Sequence, residues 1–256
     1  MNGQVKSNQP IPIICDTNIW YRIADGRITK QDIMGKFLVG TFVTGGEFCS
    51  SPNAFIDYSR LRKAVAAFGE YPQGFCIEPP VEYMKLVSGH DSDDSKWSEI
   101  SSSLGIVLKL EDIPNPEVTR KVYADYDNEV TLSNKPFLDA VAEHREQIKY
   151  KGRHKRRMNE VETRLEHKEF TKNILTSVVG GLQLDWKALD LFLCTFDEWF
   201  RQLSIQPSLT MKINDWDDLL NLVYVGPSCL YWTEDYKKTR EFIVSSGCGH
   251  YLYQSA

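Results

Sequence analysis

The sequence has no Cys-x-x-Cys pair, no long apolar run and no excess of positive charge, and each absence removes a class of protein. Its six cysteines, Cys15, Cys49, Cys76, Cys194, Cys229 and Cys248, are scattered. Several lie in apolar runs, where a thiol behaves as a small hydrophobe. This usage predicts reduced thiols and a cytoplasmic address, without a disulfide framework. The five histidines are dispersed as well, and the one close Cys/His pair, Cys248 and His250, has the wrong spacing for a zinc finger. A zinc site is therefore not expected. Met1 to Gln9 is polar, without the apolar stretch of a signal peptide. No run approaches membrane-spanning length, so no membrane partner is expected. A formal net charge of −5 argues against a surface coated in positive charge for nucleic acid, but leaves room for a local basic patch. No internal repeat is visible.

What is present is an ordinary globular composition, 42% hydrophobic and 25% charged over 256 residues, enough for one or two domains with a substantial core. Near the start, the apolar run Ile13-Ile14-Cys15 stops at Asp16-Thr17-Asn18. That pattern reads as a buried parallel strand and its loop. Ligands of open α/β sheets bind beyond the carboxyl ends of the strands, which puts Asp16 where chemistry is done. The competing reading is a helix cap, since Asp, Thr and Asn all cap well.

The chain then reads as short helices over Ile19–Ala24 and Ile28–Leu38, with Gly45-Gly46 as punctuation and Phe48–Ser50 as a second short strand. Ser51-Pro52 reads as a helix start, with Asp57 one turn inside that helix. Pro79-Pro80 opens a helix to Val87, and Ile106–Leu110 reads as a strand or a buried connection. From Pro116 to Leu203 the pattern is mostly helical, interrupted by Gly180-Gly181, and Phe192, Phe196, Trp199 and Phe200 mark a packing stripe. The last fifth returns to α/β character: an acidic helix start at Asn214–Asp218, a strand Leu230–Thr233, a helix over Tyr236–Ser246 and a final strand His250–Tyr253.

Two charge patterns stand out. Lys149, Lys151, Arg153, Lys155, Arg156 and Arg157 place six basic residues within nine positions. Such a run is either a solvated helix face or a strip that binds phosphates. The carboxylates Asp16, Asp57, Asp215, Asp217, Asp218 and Asp235 all fall after strands or near helix starts, and in a parallel sheet those places share one edge. Carboxylates gathered there repel unless a cation compensates, and oxygen ligands favour Mg²⁺ or Mn²⁺. Each acid also has a plainer role: Asp215 and Asp217 suit a helix dipole, and Asp57 suits an ion pair with Arg60 or Arg62.

In this order, the strand with Asp16-Thr17-Asn18, Ser51-Pro52-Asn53-Ala54-Phe55-Ile56-Asp57, Asn214-Asp215-Trp216-Asp217-Asp218 and Tyr231-Trp232-Thr233-Glu234-Asp235 resemble the four acidic motifs of PIN domains. The resemblance covers residues 11–69 and 212–254. It implies an α/β, Rossmann-like core with a central parallel sheet, made discontinuous by a mainly helical insertion over 70–211 that packs beside it. It also implies a Mg²⁺- or Mn²⁺-dependent endoribonuclease. Asp16, Asp57, Asp218 and Asp235 would form the catalytic and metal-binding cup, with Asp215 the next choice for the third acid. Thr17 and Thr233 would position phosphate or water, Asn18 would hold the turn, and the basic strip would bind RNA. The second acid departs from the family, which more often carries Glu there. A homo-oligomer or an inhibitory protein partner fits this reading. A phosphatase with Asp16 as nucleophile is disfavoured, because Asn18 stands where the second acid would be. The remaining alternative is an inactive PIN-like module that binds RNA or protein.

Overall fold

A computed structural model describes residues 10–92, 96–113, 115–153, 160–206, 208–236 and 238–254. In chain order the elements are β1 (Pro12–Cys15), α1 (Thr17–Ala24), α2 (Lys30–Ile33), β2 (Phe37–Thr41), α3 (Phe42–Cys49), α4 (Asn53–Ile56), α5 (Tyr58–Glu70), β3 (Gly74–Cys76), α6 (Pro80–Val87), α7 (Trp97–Lys109), α8 (Pro116–Arg153), α9 (Glu160–Val178), α10 (Asp190–Ile205), α11 (Ile213–Asn221), β4 (Leu230–Trp232) and α12 (Thr239–Ser245). The fold is α/β. Its four strands run parallel in the order β3-β2-β1-β4. Beyond β4, Leu252 adds a single parallel bridge to Tyr231, where a full final strand was expected.

Side chains alternate along each strand, so one run of apolar residues feeds two cores. Ile14, Val39 and Tyr231, in register across β1, β2 and β4, face a core completed by Met84, Phe192, Phe196, Trp199, Leu219 and Ile243. Ile13, Cys15, Leu38 and Trp232 face the other side, against Ile19, Trp20, Phe48, Leu61 and Phe68. Burial on both faces explains why β1 reads as a continuous apolar run. Gly40 in β2 is required by close packing: a Cβ there would lie 2.6 Å from a ring carbon of Phe68 and 2.7 Å from one of Phe75.

The sheet draws on more of the chain than the resemblance implies. Gly74–Cys76 pairs with β2, so a strand comes from within the interval 70–211. Most of the remainder of that interval is helical. α8 is capped by Asn115, whose Oδ1 accepts from the amides of Glu117 and Val118 at 3.2 and 3.3 Å. Phe137 of α8 packs on Phe196 of α10, with ring centres 4.6 Å apart, and on Trp216 of α11 at 5.6 Å. Trp199 of α10 meets Phe242 of α12 at 4.2 Å. These contacts seat the helical segment directly on the elements that carry the C-terminal acids.

Three local expectations are corrected. Residues 28–38 form only the short α2 before β2 begins, because Phe37–Thr41 finds hydrogen-bonding partners on both sides of it. Phe48–Ser50 is no strand: Phe48 is the buried face of α3. Ile106–Leu110 belongs to the end of α7. Among the described residues, no helix is long and apolar enough to cross a membrane.

Candidate metal centre

β1 lies between β2 and β4, so the direction of strand progression reverses at its carboxyl end. That is the crevice where open α/β sheets bind ligands. Asp16 stands there. Its amide donates to the Trp232 carbonyl at 3.0 Å, locking the ends of β1 and β4 together. Asp16 is the first residue before α1, yet its carboxylate makes no cap bond. Instead Oδ2 accepts from Thr233 Oγ1 at 2.6 Å and from Asn18 Nδ2. Asn18 also accepts from the Glu234 amide at 3.2 Å, holding the turn after β4, and Thr233 Oγ1 accepts from the Asp235 amide at 3.1 Å. Neutral donors thus fix the Asp16 carboxylate in place without neutralising it.

Three further carboxylates come to the same locus. Glu47 of α3 is half-buried and accepts from Thr17 Oγ1. Asp218 of α11 accepts from Thr239 Oγ1 at 2.8 Å, at the start of α12. Asp235 follows β4, and its charge acts on both Asp16 and Asp218. Burial, opposed by the Thr233 hydroxyl and reinforced by Asp235, raises the Asp16 pKa from 3.8 to about 6. Burial raises Glu47 well above the usual range, with the charges of Asp218, Asp217 and Asp16 adding to it. Asp218 is raised in the same way, first by burial and then by the charge of Asp16. The leading influences on these three carboxyls are burial, each other's charge and neutral donors, with no lysine or arginine among them. A set of hard oxygens that raise one another's pKa fits a divalent cation of the Mg²⁺ or Mn²⁺ type. Asp16, Glu47, Asp218 and Asp235 are the residues that could hold it, in part through water, since no three of them bring their oxygens within 4.8 Å of one another.

The third acidic motif separates into distinct roles. Asp215 is bound to Lys238, whose Nζ lies 2.7 and 2.9 Å from its two oxygens, and it accepts from the Lys212 amide at 2.8 Å. Asp217 is buried, its charge acts on Glu47, and it lines an apolar cleft of about 570 Å³ together with Gly46, Phe137 and Trp216.

Asp57 is the correction. The helix predicted through it breaks at φ −155° and ψ 79°, so Asp57 is the exposed N-cap of α5, accepting from the Arg60 amide at 3.0 Å. The Arg60 side chain goes to Asp25, at 2.9 and 3.1 Å. The carboxylate placed beside Asp16 from this part of the chain is that of Glu47. Its signal was the one used for Asp16: the apolar run of β2 ends at Thr41, which caps α3 by accepting from the Thr44 amide at 3.1 Å. Gly45-Gly46, read as punctuation, concealed the helix that follows.

Thr17 and Thr233, expected near substrate, spend their hydroxyl protons on Glu47 and Asp16. Lys149, Lys151 and Arg153 fall at the end of α8, with side chains outside those described, and Lys155, Arg156 and Arg157 lie outside the described residues. Compared with protein-family models, curated proteins and solved structures, the chain matches none.

Proposed function

We propose that the chain is a metal-dependent ribonuclease that hydrolyses phosphodiester bonds at Asp16, Glu47, Asp218 and Asp235. One observation carries this reading: four carboxylates from both ends of the sequence gather at the sheet's switch point, and the leading electrostatic influences on Asp16, Glu47 and Asp218 include no basic residue. With Glu47 as second acid, the order of motifs also fits the PIN resemblance better than Asp57 allowed. A bound Mg²⁺ or Mn²⁺ would supply an activated water and charge stabilisation at the phosphoryl oxygens. Asp16 is held by Thr233 and Asn18 in a single orientation for that role, Glu47 by Thr17, and Asp218 by Thr239. An acidic cup repels a phosphate backbone, so the basic run at 149–157 is the proposed RNA-binding strip. The six free thiols agree with a reducing, cytoplasmic setting.

The test is cleavage of RNA by the purified chain with Mn²⁺ or Mg²⁺, beside Asp16→Asn. Metal-dependent cleavage lost in the variant supports the reading. Absence of cleavage with RNA still bound would identify a binding module.

A further inference from the structure

A second cluster lies on the α10 and α12 side of the molecule and takes no part in the acidic centre. Asp190 and Cys194 are four residues apart on α10, which puts them one turn apart on the same helix face. Cys248 joins them from the turn after α12, where Gly247 adopts φ 85°. One oxygen of Asp190 and the two sulfurs lie within 4.8 Å of one another. We infer that Asp190, Cys194 and Cys248 bind a zinc ion.

The geometry suits zinc. Bonds of about 2.3 Å to sulfur and about 2.1 Å to oxygen at a tetrahedral angle place the two ligand atoms about 3.6 Å apart. Cys194 Sγ is 3.7 Å from Asp190 Oδ1. The other oxygen, Oδ2, accepts from the Tyr251 hydroxyl at 3.3 Å, which orients the carboxylate and leaves Oδ1 for the ion. Lys168 Nζ stands 3.7 Å from Cys194 Sγ. Two thiolates and one carboxylate, set against a dication and the Lys168 ammonium, make a neutral group. Binding releases the two thiol protons to solvent, and water fills the fourth position. Sulfur ligands select zinc over Mg²⁺ or Mn²⁺, so this site and the carboxylate centre take different ions. Cys248 is buried, while Asp190 and Cys194 are half-exposed, leaving a path for the ion. Spacing along the chain hid the site, because Cys248 lies far in sequence from its partners.

The ion would tie α10 to the segment that carries Leu252 onto β4, and so brace the edge of the sheet. The experiment is a titration of the reduced, metal-stripped full chain with Co²⁺, the spectroscopic stand-in for zinc. One equivalent should give thiolate-to-cobalt charge-transfer absorption that zinc abolishes. Cys194→Ser and Cys248→Ser should each remove or sharply weaken it, and Cys49→Ser and Asp16→Asn should retain it. In the unmodified chain, zinc should slow alkylation of Cys194 and Cys248 relative to Cys49, which needs no variant to fold. Absence of the charge-transfer band, its survival in the double serine variant, or equal alkylation with and without zinc would overturn the assignment.

Discussion

Thr233 Oγ1 donates to Asp16 Oδ2 at 2.6 Å across 217 residues of sequence. The bond joins the ends of two adjacent strands and fixes the Asp16 carboxylate where the charge of Asp235 acts on it. Thr233→Val removes the donor with little change in volume. Metal affinity should fall by about 10–100-fold, the usual cost of losing a partner that orients a ligand. Thr233→Ser should keep most of it. Mn²⁺ titration by calorimetry decides, and equal affinity in both variants would contradict the orienting role.

Glu47 and Asp57 are opposed predictions about the second acid. Glu47→Gln should reduce metal-dependent cleavage by at least the same 10–100-fold and leave the fold intact. Asp57→Asn keeps an N-cap acceptor and should leave cleavage within a few-fold, while Asp57→Ala should cost about 1 kcal/mol of stability through the lost cap. Cleavage rates and thermal melts on the three variants would expose the reverse pattern if Asp57 were the ligand.

Asp215 should behave as a structural acid. Its ion pair with Lys238 is partly solvated on the lysine side, which is 33% exposed, so breaking it should cost about 1–2 kcal/mol rather than the 3–5 of a fully buried pair. Asp215→Asn is expected to lower denaturant stability by that amount and leave Mn²⁺ affinity within a few-fold. A large loss of affinity at unchanged stability would make Asp215 a ligand after all.

The raised carboxyls also fix a pH dependence. A folded-state pKa above the unfolded one means that the fold binds more protons, so stability falls as pH rises through that window. For Asp16 the window runs from 3.8 to about 6, and the raised carboxyls of Glu47 and Asp218 act in the same direction. Ionised Asp16 alone costs on the order of 3 kcal/mol. The metal-free protein should therefore melt higher near pH 5 than near pH 8, a trend flattened in Asp16→Asn. Added Mn²⁺ should stabilise at the alkaline end and have less effect near pH 5, where Asp16 is protonated. A metal-free melting temperature that climbs with pH would contradict the burial of these acids.

The sequence made Asp16 and Asp235 legible because each follows an apolar run that stops at polar residues, whereas Asp218 is singled out from Asp215 and Asp217 only through the resemblance to PIN domains. It hid Glu47 for a physical reason. β2 contains Gly40, which weakens the look of a strand, and α3 contains two glycines, which weaken the look of a helix. Both elements form because packing overrides propensity: Gly40 admits Phe68 and Phe75, and a Cβ on Gly45 would stand 2.8 Å from Ile100. β3, at three residues, is too short to show a period. Asp57 misled because a helix start at Ser51-Pro52 was read as one helix, whereas the backbone turns between α4 and α5 at Asp57 itself.

The strand order has a consequence for synthesis. Asp16 and Glu47 leave the ribosome well before their partners on α11 and beyond β4. At about 5–20 residues per second, the span from Asp16 to Thr233 takes on the order of 10–40 seconds to translate. Throughout that interval β1 has a neighbour on only one side, and the crevice at its end has only one wall. The acids cannot gather until the final strand docks, so a chain still being made, close to ribosomal and messenger RNA, carries half a cup and no centre.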